Sequence, residues 1–291
     1  MKLNHFIRVA TMSIAVVLGF SSCDDEDKSD PKEDPKEKNH VFLCIGQSNM
    51  EGNAAIQSKD KTVDSRFQSY VCYAGNYAGQ KYEVGNLRTA VPPLCRAGQM
   101  GGIGVTDYFG RTMVKYLPED ETVRVAVVAL GGTAIDGFLP DLKDNYIKGA
   151  ADWLQGYYKC YNNDPMARLL EVAKIAQKEG TIQGILFHQG ETDAYSAEWN
   201  KKVKRVYDMI INELGLDETK VPLLAGNVTG NGNQCIKNIP NYIVNSYVIP
   251  SDGCPGDAQN NNNIHFNHSG YEKMGERYAL KMLDLMGIKH D

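Results

Sequence analysis

Four short polar stretches hold the residues whose types and spacing could do chemistry. Ser48 lies in VFLCIGQSNMEGNA, residues 41–54, where an apolar run gives way to small polar residues flanked by Gly46 and Gly52. Gly131, Gly132 and Thr133 follow a second apolar run in ALGGTAIDGF, and His188, Gln189, Glu191 and Asp193 fall at the end of a third in FHQGETDA. His265 stands just before a helical pattern in NNNNIHFNHSGYEKMGERYA. A hydroxyl, an imidazole that titrates near neutrality and backbone donors left open by glycine are what nucleophilic catalysis by serine requires. Each stretch also has a plainer reading. Ser48 can cap a helix, Gly131 and Gly132 can make a tight turn, and a lone histidine is more often a surface residue.

The elements that would position these groups are legible as hydrophobic patterns. Continuous apolar runs at 41–45, 123–130, 182–187 and 221–225 predict strands of a parallel sheet covered on both faces. Amphipathic spacing predicts helices at 105–116, 166–178, 198–213 and 271–286, with Pro165 behind Asp164 as a good helix start. Strand–helix alternation predicts one α/β domain over 40–291, built with right-handed crossovers. Ligands of such sheets bind beyond the carboxyl ends of the strands, which is where the first three stretches fall.

The 291 residues are 42% hydrophobic and 23% charged, enough for one sizeable core. A net charge of -5 without a long basic stripe argues against a nucleic-acid partner. At the start, Lys2 and Arg8 precede an apolar run at 14–20, and Ser21, Ser22 and Cys23 follow. The run is too short to span a bilayer and reads as a signal peptide over 1–22. LGFSSC resembles a lipobox, in which Cys23 would carry lipid and anchor the chain to a membrane; an ordinary signal peptide cut near Ser22 is the alternative. Residues 23–39 interleave charges with prolines and carry no large apolar side chain, so they should form a solvated tether. The acidic residues after Cys23 resemble the export signal of some surface-exposed bacterial lipoproteins, or are a plain linker. The expected location is the bacterial cell envelope, the outer-membrane surface included.

Six of the seven cysteines remain after Cys23. Cys44 sits within an apolar run and reads as a small buried hydrophobe. An exported chain can form disulfides, and Cys72–Cys95 and Cys235–Cys254 are the expected pairs, although sequence does not fix connectivity. No Cys/His spacing suggests zinc.

Taken together, GQSNM, GGT, HQGETD and IHFNHSGYEKMGERYA, in this order across 41–286, resemble the SGNH (GDSL-like) hydrolase superfamily. Within it they are similar to the sialate O-acetylesterase and acetylxylan esterase group, carbohydrate esterase family 6. The resemblance implies a flavodoxin-like, three-layer α/β/α fold with a central parallel sheet. It also implies a serine esterase that hydrolyses O-acetyl esters on an oligo- or polysaccharide, with no metal or organic cofactor. Ser48 would be the nucleophile and His265 the base and then the acid. The oxyanion hole would come from the Ser48 N–H, the Gly132 N–H and the side-chain amide of Gln189.

Two positions depart from the family pattern. Asn262 stands where the family has an aspartate three residues before the histidine. An amide can accept the imidazole N–H but brings no charge to stabilise imidazolium, and it can select the wrong tautomer. Some relatives use the glutamate of the HQGE block, so Glu191 is expected to supply the carboxylate, or else to be a scaffold residue bonded to the Ser48 turn. Asp257, in the turn CPGD, is a weaker candidate. Glu51 stands where alanine is frequent. It would either shape the entrance against anionic substrates such as sialic acids or be a solvated first-turn residue. His188 either lines the sugar cleft or packs against the sheet end. Trp153, Tyr82, Tyr157 and Tyr158 either stack on sugar rings or pack under long loops. The rival functions are a carbohydrate-binding lipoprotein that lost an efficient triad, which Asn262 alone favours, and a lipid or thioester hydrolase.

Overall fold

The computed structural model describes residues 36–77, 79–96, 101–229, 233–258 and 263–291. The expected signal peptide, Cys23, residues 23–35 of the charged segment and Asn262 lie outside the described residues. In chain order the strands are β1 (Asn39–Gly46), β2 (Phe67–Tyr70), β3 (Gly75–Tyr77), β4 (Gln80–Tyr82), β5 (Leu87–Thr89), β6 (Thr122–Ala129), β7 (Thr181–His188), β8 (Leu223–Gly226) and β9 (Ser246–Ile249). The α-helices are α1 (Ser48–Glu51), α2 (Val105–Tyr116), α3 (Lys143–Gly149), α4 (Asp152–Tyr158), α5 (Pro165–Glu179), α6 (Trp199–Leu214), α7 (Asn233–Ile236) and α8 (His268–Met286).

The four apolar runs became β1, β6, β7 and β8, and the four amphipathic segments became α2, α5, α6 and α8. Seven strands form one sheet in the order β5-β2-β6-β1-β7-β8-β9. Six of them run parallel, while β5 pairs antiparallel with β2 at one edge, so the sheet is mixed rather than wholly parallel. Because side chains alternate across a strand, β1 serves two cores. Val41, Leu43 and Ile45 pack with Leu169, Val172 and Ile210 of α5 and α6. Phe42 and Cys44 pack with Phe109, Met113, Met274 and Tyr278 of α2 and α8. With both faces covered, β1 has no place for a polar alternation, which is why it reads as one unbroken apolar run.

Helix starts follow local chemistry. The Asp164 carboxylate accepts the Ala167 N–H (2.9 Å) ahead of Pro165, and the Asn267 side chain accepts the Gly270 N–H (3.0 Å) to open α8. Strand order reverses at β1, which lies between β6 and β7 although it precedes both in the chain. A reversal of this kind leaves a crevice beyond the carboxyl ends of the strands beside it.

Candidate active site

The three central strands end abreast. Gly46 pairs with Ala129 on one side and with His188 on the other. Beyond the ladder, the Gln47 N–H donates to the His188 carbonyl (3.0 Å) and the Leu130 N–H to the Gly46 carbonyl (3.2 Å). A Cβ at Gly46 would meet the His188 carbonyl oxygen at 2.2 Å, so only glycine lets the strands close here. Two residues on, Ser48 opens α1, and its carbonyl accepts from the Gly52 N–H (2.9 Å) and from Asn53 Nδ2 (2.7 Å).

His265 arrives from the far end of the chain, and Asn49 fixes it there. The fully buried Asn49 side chain donates to the Ile264 carbonyl (3.1 Å) and accepts the Phe266 N–H (3.2 Å), gripping the residues on both sides of the histidine. Its other bonds run to Glu191 Oε1 (2.7 Å) and from the Tyr271 hydroxyl (2.8 Å). Ser48 and His265 therefore line one cavity of about 570 Å³, together with Gln47, Glu51, Gly132 and Glu191.

Burial pushes the His265 imidazole below its ordinary pKa, and the negative charge of Asp257 pulls it back up. Asp257 is tied to the histidine through the backbone, its N–H donating to the His265 carbonyl (2.8 Å) beside the bridge between Gly256 and Phe266. His265 Nδ1 is buried and has no hydrogen-bond partner among the described residues. The pairing of the Asp257 turn with the segment around His265 leaves no local mark in the sequence.

The loop after β6 supplies backbone donors. Gly131 donates its N–H to Glu51 Oε2 (2.7 Å). Gly132 lines the cavity at φ +74°, and a Cβ there would come within 2.7 Å of the Trp153 ring. Gln189 departs from its expected part in the oxyanion hole. Its amide nitrogen donates to Gln47 Oε1 (3.2 Å), the Thr133 carbonyl (3.2 Å) and Asp193 (2.5 Å), while its oxygen accepts from the Trp199 indole (2.6 Å). Fully buried and away from the cavity lining, Gln189 braces the loops after β1, β6 and β7.

Glu191 does line the cavity, with Oε1 on Asn49, while Oε2 is shut off from solvent with no hydrogen-bond partner among the described residues. Burial raises its pKa to about 7. The carboxyl thus holds the Asn49 clamp rather than bonding the imidazole. Replacing Glu191 by glutamine preserves the acceptor for Asn49, so activity is expected to stay within about threefold of wild type. A fall of about 10²-fold in the folded variant would instead restore Glu191 to the relay. A carboxyl whose folded pKa exceeds its unfolded value costs stability as pH rises between the two. The thermal midpoint of wild type should therefore decline from pH 4.5 towards about 7, and less so in the glutamine variant.

Of the two readings of His188 the packing one holds, while the solvated reading of Glu51 and the two expected disulfides are corrected. His188 is fully buried, bonded to the Tyr278 hydroxyl (3.1 Å) and held neutral, its pKa pushed down to about 3. It packs at the sheet end and does not line the cleft. Glu51 is buried and ion-paired with Arg96, not solvated. Cys72–Cys95 and Cys235–Cys254 are free thiols; Cys72 and Cys95 are buried, with Sγ atoms on the Tyr70 and Ala129 carbonyls. Of the aromatic residues, Trp153 and Tyr157 wall the cavity edge to face (5.5 Å, 70°), whereas Tyr82 stacks on Tyr73 and Tyr158 is core. Trp153, Tyr195 and Ile264, which also line the cavity, expose 55%, 86% and 50% of their surface. Among the described residues no group of three or more His, Cys, Asp or Glu side chains is arranged to hold a metal ion.

Over residues 38–284 the chain matches the family described as carbohydrate esterase, sialic acid-specific acetylesterase. Among solved structures, NanS superposes with a TM-score of 0.62 at 15% identity, covering 87% of this chain and 98% of NanS. A protein from Arabidopsis thaliana superposes at 0.61 with 17% identity, covering 84% of this chain and 98% of its own. At such identities the likeness is one of fold.

Proposed function

The chain belongs to the carbohydrate esterase family of sialic acid-specific acetylesterases, and from that premise we propose that it removes acetyl groups from a sugar through an acetyl-Ser48 intermediate. It is an esterase with the SGNH-hydrolase fold. Ser48 Oγ attacks the acetyl carbonyl while His265 takes its proton. The oxyanion that forms meets the N–H groups of Ser48 and Gly132, each such donor contributing about 3 kcal/mol to the transition state. His265 then protonates the departing sugar oxygen, and on the return step it draws a proton from the water that releases acetate. Asp257 supplies, through space, the negative charge that favours the imidazolium. The observation that carries the reading is the grip of Asn49 on both neighbours of His265, which brings a hydroxyl and an imidazole 217 positions apart to one cavity.

The substrate is an uncharged acetylated glycan in preference to a sialic acid. Among the described residues the cavity lining contains Glu51 and Glu191 but no lysine or arginine to meet a substrate carboxylate. Trp153 and Tyr195 offer ring faces suited to sugar C–H surfaces. The lipobox-like LGFSSC supports a lipid anchor at Cys23 and a place in the cell envelope.

The test is acetate release from acetylated xylo-oligosaccharides and from O-acetylated sialic acid across pH. Release from the neutral sugar is expected to dominate, with an acid limb below the ordinary imidazole value of 6.5, because burial lowers the His265 pKa and the base must be neutral. Asp257→Asn removes the charge that raises that pKa, so the limb should move to still lower pH. At the same time kcat should fall about 10²-fold, because the imidazolium is less stabilised. No release from either sugar would overturn the reading.

A further inference from the structure

Glu51, the last residue of the helix that Ser48 opens, makes two bonds that the mechanism so far leaves idle. Its Oε2 accepts the Gly131 N–H (2.7 Å), and its Oε1 pairs with the Arg96 guanidinium. Both charges are withdrawn from water, with 1% and 0% of their side-chain surfaces exposed. The guanidinium lies on the Tyr157 ring, 3.9 Å from its centroid, and Tyr157 in turn meets Trp153 beside Gly132. Burying an ion pair brings little net stability over an apolar pair of similar volume, so stability alone does not explain it. What the pair does achieve is geometric. One short helix carries the nucleophile at its first residue and, at its last, a carboxylate that fixes the peptide immediately before the oxyanion donor.

We propose that Glu51 and Arg96 are positioning residues that hold the Gly131–Gly132 loop so that the Gly132 N–H faces Ser48. The inference rests on the acetyl-Ser48 reading and deepens it. Glu51 touches no reacting atom and acts through Gly131. Arg96 directs one carboxylate oxygen to itself, leaving the other for the Gly131 N–H, and its seat on Tyr157 ties the loop to the aromatic wall of the cavity. A glutamine at position 51 cannot reproduce this. With its oxygen on Gly131 its amide donors face a guanidinium, and with its oxygen on Arg96 they face an N–H.

Because an oxyanion donor acts only in the transition state, misplacing it lowers kcat and leaves KM in place. Glu51→Gln is expected to cut kcat for acetyl-ester hydrolysis about 10- to 100-fold with KM within about threefold, and to slow phosphonylation of Ser48 by a similar factor. Since taking the Glu51 charge away from the buried Arg96 guanidinium could unfold that variant, Glu51→Leu/Arg96→Leu removes both charges together and should fold. The same loss of kcat at unchanged KM is expected there, even if its thermal midpoint matches or exceeds wild type. A folded variant of either kind with kcat within threefold of wild type would overturn the proposal, as would a loss confined to KM. Failure of the underlying reading would look different, since wild type itself would then show no Ser48-dependent hydrolysis.

Discussion

Replacing Ser48 with alanine is expected to reduce kcat for acetyl-ester hydrolysis by about 10⁶-fold, the scale seen when a serine hydrolase loses its nucleophile. The reason is that alanine has no hydroxyl with which to form the proposed acetyl-Ser48 intermediate. The remaining N–H donors can still polarise a bound ester, which leaves a residue of activity above water alone. Little else should change. The bonds that hold Ser48 in its turn run through its carbonyl to Gly52 and Asn53, and alanine keeps both. Circular dichroism and thermal midpoint should therefore match wild type while turnover disappears. Hydrolysis at more than about one-hundredth of the wild-type rate would assign the chemistry to another residue or to direct attack by water.

Asn49→Ala is expected to have the next largest effect, and through a residue that touches no substrate. Four bonds converge on this amide, from or to Glu191, Ile264, Phe266 and Tyr271. Their loss leaves buried donors and acceptors unpaired, at about 1–3 kcal/mol for each group that finds no substitute. The stretch 264–266 would lose its only side-chain tether to the Ser48 turn among the described residues. A displacement of about 1 Å between nucleophile and base costs about 10²-fold in rate. The variant should thus show a lowered thermal midpoint and a kcat reduced about 10²- to 10³-fold, with KM less affected. Asn49→Asp separates the two halves of the clamp. It retains an acceptor for Phe266 and Tyr271 but sets a carboxylate against Glu191 and the Ile264 carbonyl, and it should be about as impaired. A folded Asn49→Ala enzyme with kcat within tenfold of wild type would show that something else holds His265 in place.

Much of the frame was legible because it depends on local pattern. β1, β6 and β7 are buried on both faces and so read as apolar runs, and α2 matched its expected span of 105–116. Ser48, Gly132 and His265, chosen by residue type at strand and helix ends, all line one cavity. What escaped the sequence depends on distant partners. β2, β5 and β9 have only three or four residues each and owe their strand form to the neighbour they pair with. Gln189 looked like an oxyanion donor until Trp199, Thr133 and Asp193 were found to use up its amide. Glu51 looked solvated because nothing nearby in the chain announces Arg96, 45 residues on. Polar residues are assigned by what they meet, and a linear pattern encodes that only where the partner is a neighbour.

The most direct test of acyl transfer at Ser48 is to treat the active enzyme with a phosphonylating ester analogue and follow protein mass, residual activity and the modified peptide together. One adduct per chain, on the peptide containing Ser48, is expected to form in step with the loss of hydrolysis and to form far more slowly in His265→Ala. Complete inactivation with Ser48 unmodified, or an enzyme that still releases acetate after full modification of Ser48, would contradict the account.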